Sequence, residues 1–492
     1  MKSLFLLAGL TALLLSLAYC TSTEPTSTEA QLAEIHCGNC HATPTPDLLT
    51  KEIWISKVMP LMGAYLGVYE VHDRDFYLKD ELERPYLETV FPADPAIPDS
   101  TWRALKNYFI EGAPNALPLP EEVPTVYAQN RFTIREITDP AVTPAPSLST
   151  CVSAQTEEGF ALATLFREGK SLVRNFDGRG RVTNTDTLSS AVSQLPSAFG
   201  DAHLMMGSLV PSDVPSGTLS GQSSREDSLR RPLAYATLDL NLDGVIDTAI
   251  AEYGNRLGAL SLLTAGEKLT LSPTPGAIRL RVADLNQDGH DDLVALFAQG
   301  DERIEVYYAG DGFRRAKRLV RFPPSYGSSD LEIIDVDGDG DLDFIHTAGD
   351  NYDYRPIPKP YHGVRIFSNE AGAFTETYFY HLHGAYGVEA ADFDQDGDVD
   401  LAAIAYFVPP LNRAIKGFVY LEQTKDLIFR ASGFEKPVDQ HFIVMDKGDV
   451  DGDGDLDLVI GNFAAYLPDG FPDLRRPADR KPAAIVLTNT LK

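Results

Sequence analysis

The chain has 492 residues, a formal net charge of −29 from 71 acidic against 42 basic residues, and four cysteines. Its length accommodates two or three domains with sizeable cores. So few cysteines exclude a disulfide-built scaffold, and the lack of a basic stripe argues against nucleic acid as a partner.

In chain order, Lys2 is followed by an apolar run from Leu4 to Ala18, too short to favour a membrane span and shaped like a secretory signal. The run ends at Leu17-Ala18-Tyr19-Cys20 and breaks into a Thr, Ser, Glu and Pro stretch. This resembles a bacterial lipoprotein signal, although Tyr19 stands where that family usually has a small residue. The resemblance implies export, a leader over 1–20, lipidation of Cys20 and a flexible linker over 21–30. It further implies attachment to the outer membrane through lipid, in the periplasm or at the cell surface.

Cys37-Gly38-Asn39-Cys40-His41 carries the most specific chemistry in the chain. Two thiols three positions apart can form thioethers to one porphyrin, and the next residue sets an imidazole against the iron. A redox CxxC would sit in a βαβ unit, and a zinc site would need a second ligand pair nearby; neither pattern surrounds Cys37. The motif therefore implies one covalent c-type haem on Cys37, Cys40 and His41, and a single CxxCH excludes a multihaem wire. Cys151 is left as a small buried hydrophobe.

The helix carrying the motif should be short, because Pro44 and Pro46 follow. A second helix is expected through Lys51 to Gly67, with Ile53, Trp54, Val58, Leu61 and Leu66 apolar. A third runs over Thr101 to Glu111, capped by Asp99 or Ser100 and ended by Gly112, with Trp102, Leu105 and Phe109 on one face. This last helix resembles the C-terminal helix of small monohaem cytochromes c. Lys57 to Gly63 resembles the haem half of bacterial proteins that join a cytochrome to a propeller. These resemblances imply a small all-α cytochrome c-like domain over 31–118, with Met62 as sixth ligand ahead of Met59 and then His72.

Five later segments share the pattern D-x-[DN]-x-D-G-x-x-D. Their candidate calcium ligands are Asp239, Asn241, Asp243 and Asp247; Asp284, Asn286, Asp288 and Asp292; and Asp335, Asp337, Asp339 and Asp343. The remaining two sets are Asp392, Asp394, Asp396 and Asp400, and Asp449, Asp451, Asp453 and Asp457. Oxygen ligands at positions 1, 3, 5 and 9, a carbonyl at 7 and glycine at 6 suit a hard divalent cation. An EF-hand fails at position 12, where Ile250, Ala295, His346, Ala403 and Ile460 replace the bidentate glutamate. Short β-like runs flank the loops, so each is expected to close a hairpin. The loops hold 22 of the 71 acidic residues, which leaves an ordinary charge balance elsewhere.

Loop starts are 45, 51, 57 and 57 residues apart, a period that suits a four-stranded blade. The segments resemble the FG-GAP (VCBS) repeats of integrin-α-type propellers, clearly from Pro232 to Lys492 and weakly from Phe132 to Arg231. Two blades without acidic loops plus five with them give an all-β, seven-bladed propeller over 119–492. A strand at Phe132 to Ile137 is expected to complete the last blade beside Ala484 to Thr488.

Strand parity then separates two faces. If each acidic loop joins strands one and two, the second-to-third connections and the inter-blade connectors share the opposite face. Long insertions at Asp350 to Pro360, Tyr406 to Lys416 and Asn462 to Pro482 fall there, with Tyr326, His383 and His441 as candidate binding residues. The combined reading is an exported electron-transfer protein whose calcium-stabilised propeller binds a redox partner, glycan or small substrate. The alternatives are an adhesion or scaffold propeller with accessory or sensory haem, and a haem-coupled oxidoreductase with substrate at the propeller mouth. The sequence shows no flavin or quinone motif and no base–nucleophile set for the last of these.

Overall fold

The computed structural model describes residues 28–118, 131–138, 148–154, 159–165, 169–196, 202–221, 225–313, 316–351, 357–407, 417–434, 441–463 and 482–490. The leader, Cys20 and most of the linker lie outside the described residues, as do the central parts of the three long insertions.

Residues 28–118 form a helical unit. Thr28–Cys37 is followed by a single 3₁₀ turn, Pro46–Leu48, and then by a rod made of Lys51–Ile53, Trp54–Val58 and Met59–Tyr65. The middle piece is a widened π turn, with the Met59 N–H donating to the Trp54 carbonyl. It ends two residues before Pro60, whose ring has no N–H and crowds the preceding turn, so a local widening lets the rod continue. Two short helices, Arg74–Tyr77 and Arg84–Leu87, were not legible in the sequence.

The last helix is Asp99–Gly112, and it buries the expected face of Trp102, Leu105 and Phe109. Its capping differs from expectation. Pro98, in extended geometry, precedes the first turn and its carbonyl accepts from the Trp102 N–H, while neither Asp99 nor Ser100 caps through its side chain. Asp99 instead lies inside the first turn, where its charge favours the positive end of the helix dipole. Trp54 stacks on Phe109 at 4.4 Å, and a Cβ at Gly63 would come within 2.9 Å of Trp102, so the rod and last helix pack at glycine distance.

Among the described residues, the remainder forms seven four-stranded antiparallel sheets. Their inner strands, from blade one to blade seven, are Ser149–Ser153, Val192–Gln194, Pro232–Leu238, Ala277–Ala283, Ser328–Ile334, Ala385–Ala391 and Phe442–Gly448. Second strands such as Leu293 to Phe297 and Leu401 to Ala405 are buried on both faces, because each sheet is sandwiched between neighbours. Outer strands such as Val182–Leu188 alternate poorly and face solvent.

The ring closes as the sequence suggested. Phe132–Ile137 becomes the outer strand of blade seven, in unbroken register with Ala484–Asn489 from Phe132↔Asn489 to Ile137↔Ala484. Cys151 is buried in blade one, where burial pushes its thiol up to about 12.

Candidate functional site

Each acidic loop begins immediately after an inner strand, and its ninth residue opens the second strand. All five loops therefore lie at one end of the sheets. Position 1 acts as an internal clasp: its Oδ2 accepts the N–H of the position-6 glycine at 2.8–3.1 Å in every loop. Those glycines have φ between +83° and +101° with open space around them, so conformation rather than crowding demands glycine. Position 4 is also left-handed, at Leu242, Gln287, Gly338, Gln395 and Gly452. The glycines at two of these positions were the only sequence trace of that requirement.

Carboxylate oxygens of positions 1, 3 and 5 converge in blades five to seven: Asp335, Asp337 and Asp339; Asp392, Asp394 and Asp396; Asp449, Asp451 and Asp453. In each triplet the ligand atoms lie within 4.8 Å of one another. Burial and the neighbouring carboxylates raise the pKa of Asp337, Asp394 and Asp451, a cost that a bound cation would offset. Blades three and four carry the same turn with Asn241 and Asn286 at position 3, each amide donating to the position-5 carboxylate.

The position-9 carboxylates are placed differently from the expectation that they are ligands. Asp247, Asp292, Asp343, Asp400 and Asp457 are fully buried and stand outside the triplets. In blades three, four, five and seven, one oxygen accepts the position-2 N–H at 2.9–3.2 Å. The other oxygen in blades four, five and seven accepts a backbone N–H beyond the third strand or at its end, from Ala309, Asn369 and Asn489. Asp400 takes the Tyr420 hydroxyl and the Gln423 N–H. These residues staple the loop to the hairpin behind it. Burial pushes Asp343 up to about 6, and Asp400 and Asp457 up to about 7.

In the helical unit, Cys37 ends the first helix, half-buried, and Cys40 is exposed; neither is in a disulfide. Burial raises the Cys37 thiol to about 11. His41 Nδ1 lies 2.8 Å from the Ala42 carbonyl, so the tautomer that donates there leaves Nε2 as the lone-pair nitrogen. Cys37 and Met62 pack on the cluster that contains Met59, Trp54 and Trp102. Trp102 Nε1 and Thr43 Oγ1 are buried in this unit without a hydrogen-bond partner among the described residues. His72 is exposed and stacks on Phe76 at 3.8 Å, apart from that cluster.

The face opposite the acidic loops is assembled by a recurring bond. A residue one or two positions past the second strand donates to the preceding inter-blade connector: Gly254 to Arg230, Gly349 to Gly327, Tyr406 to Gly384 and Phe463 to His441. Tyr326, half-buried, stacks on Tyr361 at 4.8 Å, and His383, half-buried, meets His381 edge-on at 4.3 Å. His441 requires a correction. It is 4% exposed, with Nδ1 2.9 Å from the Tyr406 carbonyl, and braces the two blades instead of facing a ligand.

The chain's own helical unit covers part of this face. Tyr361 donates to the Leu48 carbonyl at 2.9 Å, the Asp213 N–H donates to Glu83 at 3.0 Å, and Ile357 packs on the Trp54 and Met59 cluster. Arg230 and Arg256 lie over the Tyr86 and Phe91 rings at 5.8 and 5.5 Å. Every propeller residue in this set belongs to an inter-blade connector or a second-to-third connection.

A seven-bladed β-propeller preceded by a helical unit is thus the class of protein defined here. Within it, residues 284–346, from the acidic loop of blade four into the second strand of blade five, match the FG-GAP-like repeat family. No curated protein sequence matches the chain. Among solved structures, it is similar to BBS1N in complex with ARL6DN, soaked with lead, at 8% identity and a TM-score of 0.42, covering 75% of this chain and 98% of that one. The mercury-soaked crystal of the same complex gives 9% identity and a TM-score of 0.43, with the same coverage.

Proposed function

We propose that this is an exported, lipid-anchored electron-transfer protein. In this reading one c-type haem is attached to Cys37 and Cys40, ligated by His41 and Met62, and mounted on a calcium-stabilised propeller. The observation that carries the reading is the CxxCH pentapeptide ending a helix, with His41 Nδ1 bonded to the Ala42 carbonyl and Cys37 and Met62 on one apolar cluster. The donor set fits the group: two thiols outside any disulfide, one oriented imidazole, and thioethers at Met62 and the more buried Met59. When bound, the haem supplies a one-electron couple whose potential a thioether ligand raises.

The chain's own residues supply the rest. His41 is held in one orientation, and the buried Trp54, Trp102 and Phe109 cluster would keep water from a haem held beside it. Tyr361, Ile357, Arg256 and Arg230 fix the unit against the propeller, which would present the haem to a redox partner at a set orientation. Calcium would be held by positions 1, 3 and 5 of the loops, as a fastener on the far face.

Haem staining after denaturing electrophoresis, followed by a redox titration of the purified protein, tests the proposal. Covalent haem that is lost in Cys37→Ala and Cys40→Ala, with a six-coordinate, carbon monoxide-inert spectrum, is the expected result. Staining that persists in the double variant removes the attachment. A five-coordinate, gas-binding haem would replace the carrier with a sensor.

A further inference from the structure

The carboxylate triplets of blades five, six and seven are alike in sequence, yet one of them already holds a cation. Each of these loops carries aspartate at positions 1, 3, 5, 7 and 9, so all three have the same charge to neutralise. In blade six, Arg131 Nη2 lies 3.2 Å from Asp394 Oδ2, while Asp394 Oδ1 accepts the Asp396 N–H within the loop, also at 3.2 Å. The Arg131 and Asp394 side chains are 24% and 9% exposed, so water screens this pair less than an ordinary surface pair. Among the described residues, no lysine or arginine is ion-paired with Asp335, Asp337 or Asp339 of blade five, nor with Asp449, Asp451 or Asp453 of blade seven.

The strand that closes the ring is what brings Arg131 there. Arg131 stands immediately before Phe132–Ile137, the outer strand of blade seven. Its carbonyl accepts both the N–H and the hydroxyl of Thr490, at 2.9 and 2.8 Å, which fixes where the side chain starts. The neighbouring Asn489 donates Nδ2 to the Phe393 carbonyl at 2.7 Å, at position 2 of the same blade-six loop. Arg135, farther along the strand, gives Nη1 to the Gly178 carbonyl at 2.9 Å and forms no ion pair among the described residues. Place on the strand therefore decides which arginine meets a loop.

A guanidinium bonded to one member of a triplet acts in two opposite ways. Without metal, it offsets the mutual repulsion of Asp392, Asp394 and Asp396; with metal, its charge opposes a divalent cation at short range. We propose that Arg131 is the built-in counter-ion of the blade-six loop, keeping that loop folded without metal and making it the weakest calcium site of the three. The ranking rests on the calcium reading of the loops, whereas the metal-free half does not. Blades five and seven fill first, and the last loop to fill is the one that the closing strand touches.

Hydrogen exchange with mass spectrometry on the full-length protein, titrated with calcium from a chelated start, resolves the loops by peptide. In wild type, residues 392–400 should exchange at least tenfold more slowly in chelator than 335–343 and 449–457. Their calcium midpoint should lie at least tenfold higher. Arg131→Gln keeps the backbone bonds to Thr490; it should speed exchange of 392–400 in chelator at least tenfold and bring its calcium midpoint to that of the other two loops. Arg131→Lys keeps the charge and should restore most of the protection. A role confined to the strand pairing would instead accelerate Ala484–Asn489 equally, so that segment should stay unchanged in Arg131→Gln. Exchange of 392–400 that ignores Arg131→Gln in chelator overturns the proposal, as does equal acceleration of Ala484–Asn489. A wild-type blade-six midpoint no higher than the others does the same without any variant. Calcium that protects no loop removes the calcium reading and the ranking with it, while Arg131→Gln in chelator still decides whether Arg131 is the counter-ion.

Discussion

The propeller is held closed by a strand from the front of the chain, and that seam can be loosened without touching the helical unit. Phe132 and Ile137 are the two buried side chains of Phe132–Ile137, each 5% exposed. Phe132 meets Phe393 and Tyr420 edge-on at 5.9 and 5.5 Å. Truncating a buried phenylalanine to alanine costs about 3–5 kcal/mol and a buried isoleucine about 2–5 kcal/mol. An outer strand relaxes more easily than a core one, so the low end of each range applies. The two positions stand about 16 Å apart along the strand, far enough for their effects to add. The Phe132→Ala/Ile137→Ala variant should therefore lose about 5 kcal/mol of local stability. That corresponds to a several-thousandfold faster exchange of protected amides in Ala484–Asn489, at about 1.4 kcal/mol per tenfold. Hydrogen exchange with mass spectrometry reads this directly. Ile134→Ala is the control, because Ile134 is 47% exposed on the same strand and should change little. Unaltered exchange across Ala484–Asn489 in the double variant would refute the seam, as would equal acceleration in every blade.

Other outcomes follow from the loops and the buried acids. Chelating calcium should lower the melting temperature of the propeller and spare the helical unit, each loop saturated at about a hundred times its dissociation constant contributing about 2.7 kcal/mol. Combined Asp449→Asn, Asp451→Asn and Asp453→Asn should remove one loop's share, and identical melts with and without chelator would count against metal in the loops. Gly454→Ala imposes a Cβ on a residue at φ +95°, so it should cost about 1–2 kcal/mol by denaturant titration even though nothing lies within 4 Å of the added methyl; an unchanged midpoint would show that the turn relaxes. Burial pushes Glu302 up to about 7 despite its hydrogen bonds from Ser328 and Gly327. The native state then holds a proton that the unfolded chain releases near the ordinary carboxylate pKa, so stability falls as pH rises from about 4.5 to about 7 and levels off above. Denaturant midpoints across that window should slope downward in wild type and less steeply in Glu302→Gln, where the raised Asp343, Asp400 and Asp457 carboxyls keep the rest of the slope; equal slopes would exclude Glu302 as a contributor.

What the sequence revealed was whatever local spacing dictates. Carboxylates and glycine at fixed offsets are required by one tight turn, so all five loops, their period and the blade count could be read directly. The Phe132 to Ile137 strand was legible because a ring must pair its last sheet. What escaped depends on contacts between distant segments. Asp343 and Asp457 look like ligands by spacing, yet their oxygens are claimed by Asn369 and Asn489, far along the chain. His441 matches His383 in position, but Tyr406 from the neighbouring blade buries it. That helical residues such as Leu48 and Glu83 would meet the parity-defined face is written in no local pattern, because their partners Tyr361 and Asp213 lie in different blades.

The seam also fixes an order of events during synthesis. Phe132 and Asn489 are partners 357 positions apart, so the first strand of the propeller must wait, unpaired, until Ala484–Asn489 has been made. Helical contacts such as Trp54 on Phe109 span only part of the first 118 residues and can form early. Loop closure over so long a span is slow. The ring therefore completes in one late step, and a chain truncated just short of Ala484 would lose the outer half of its last blade at once.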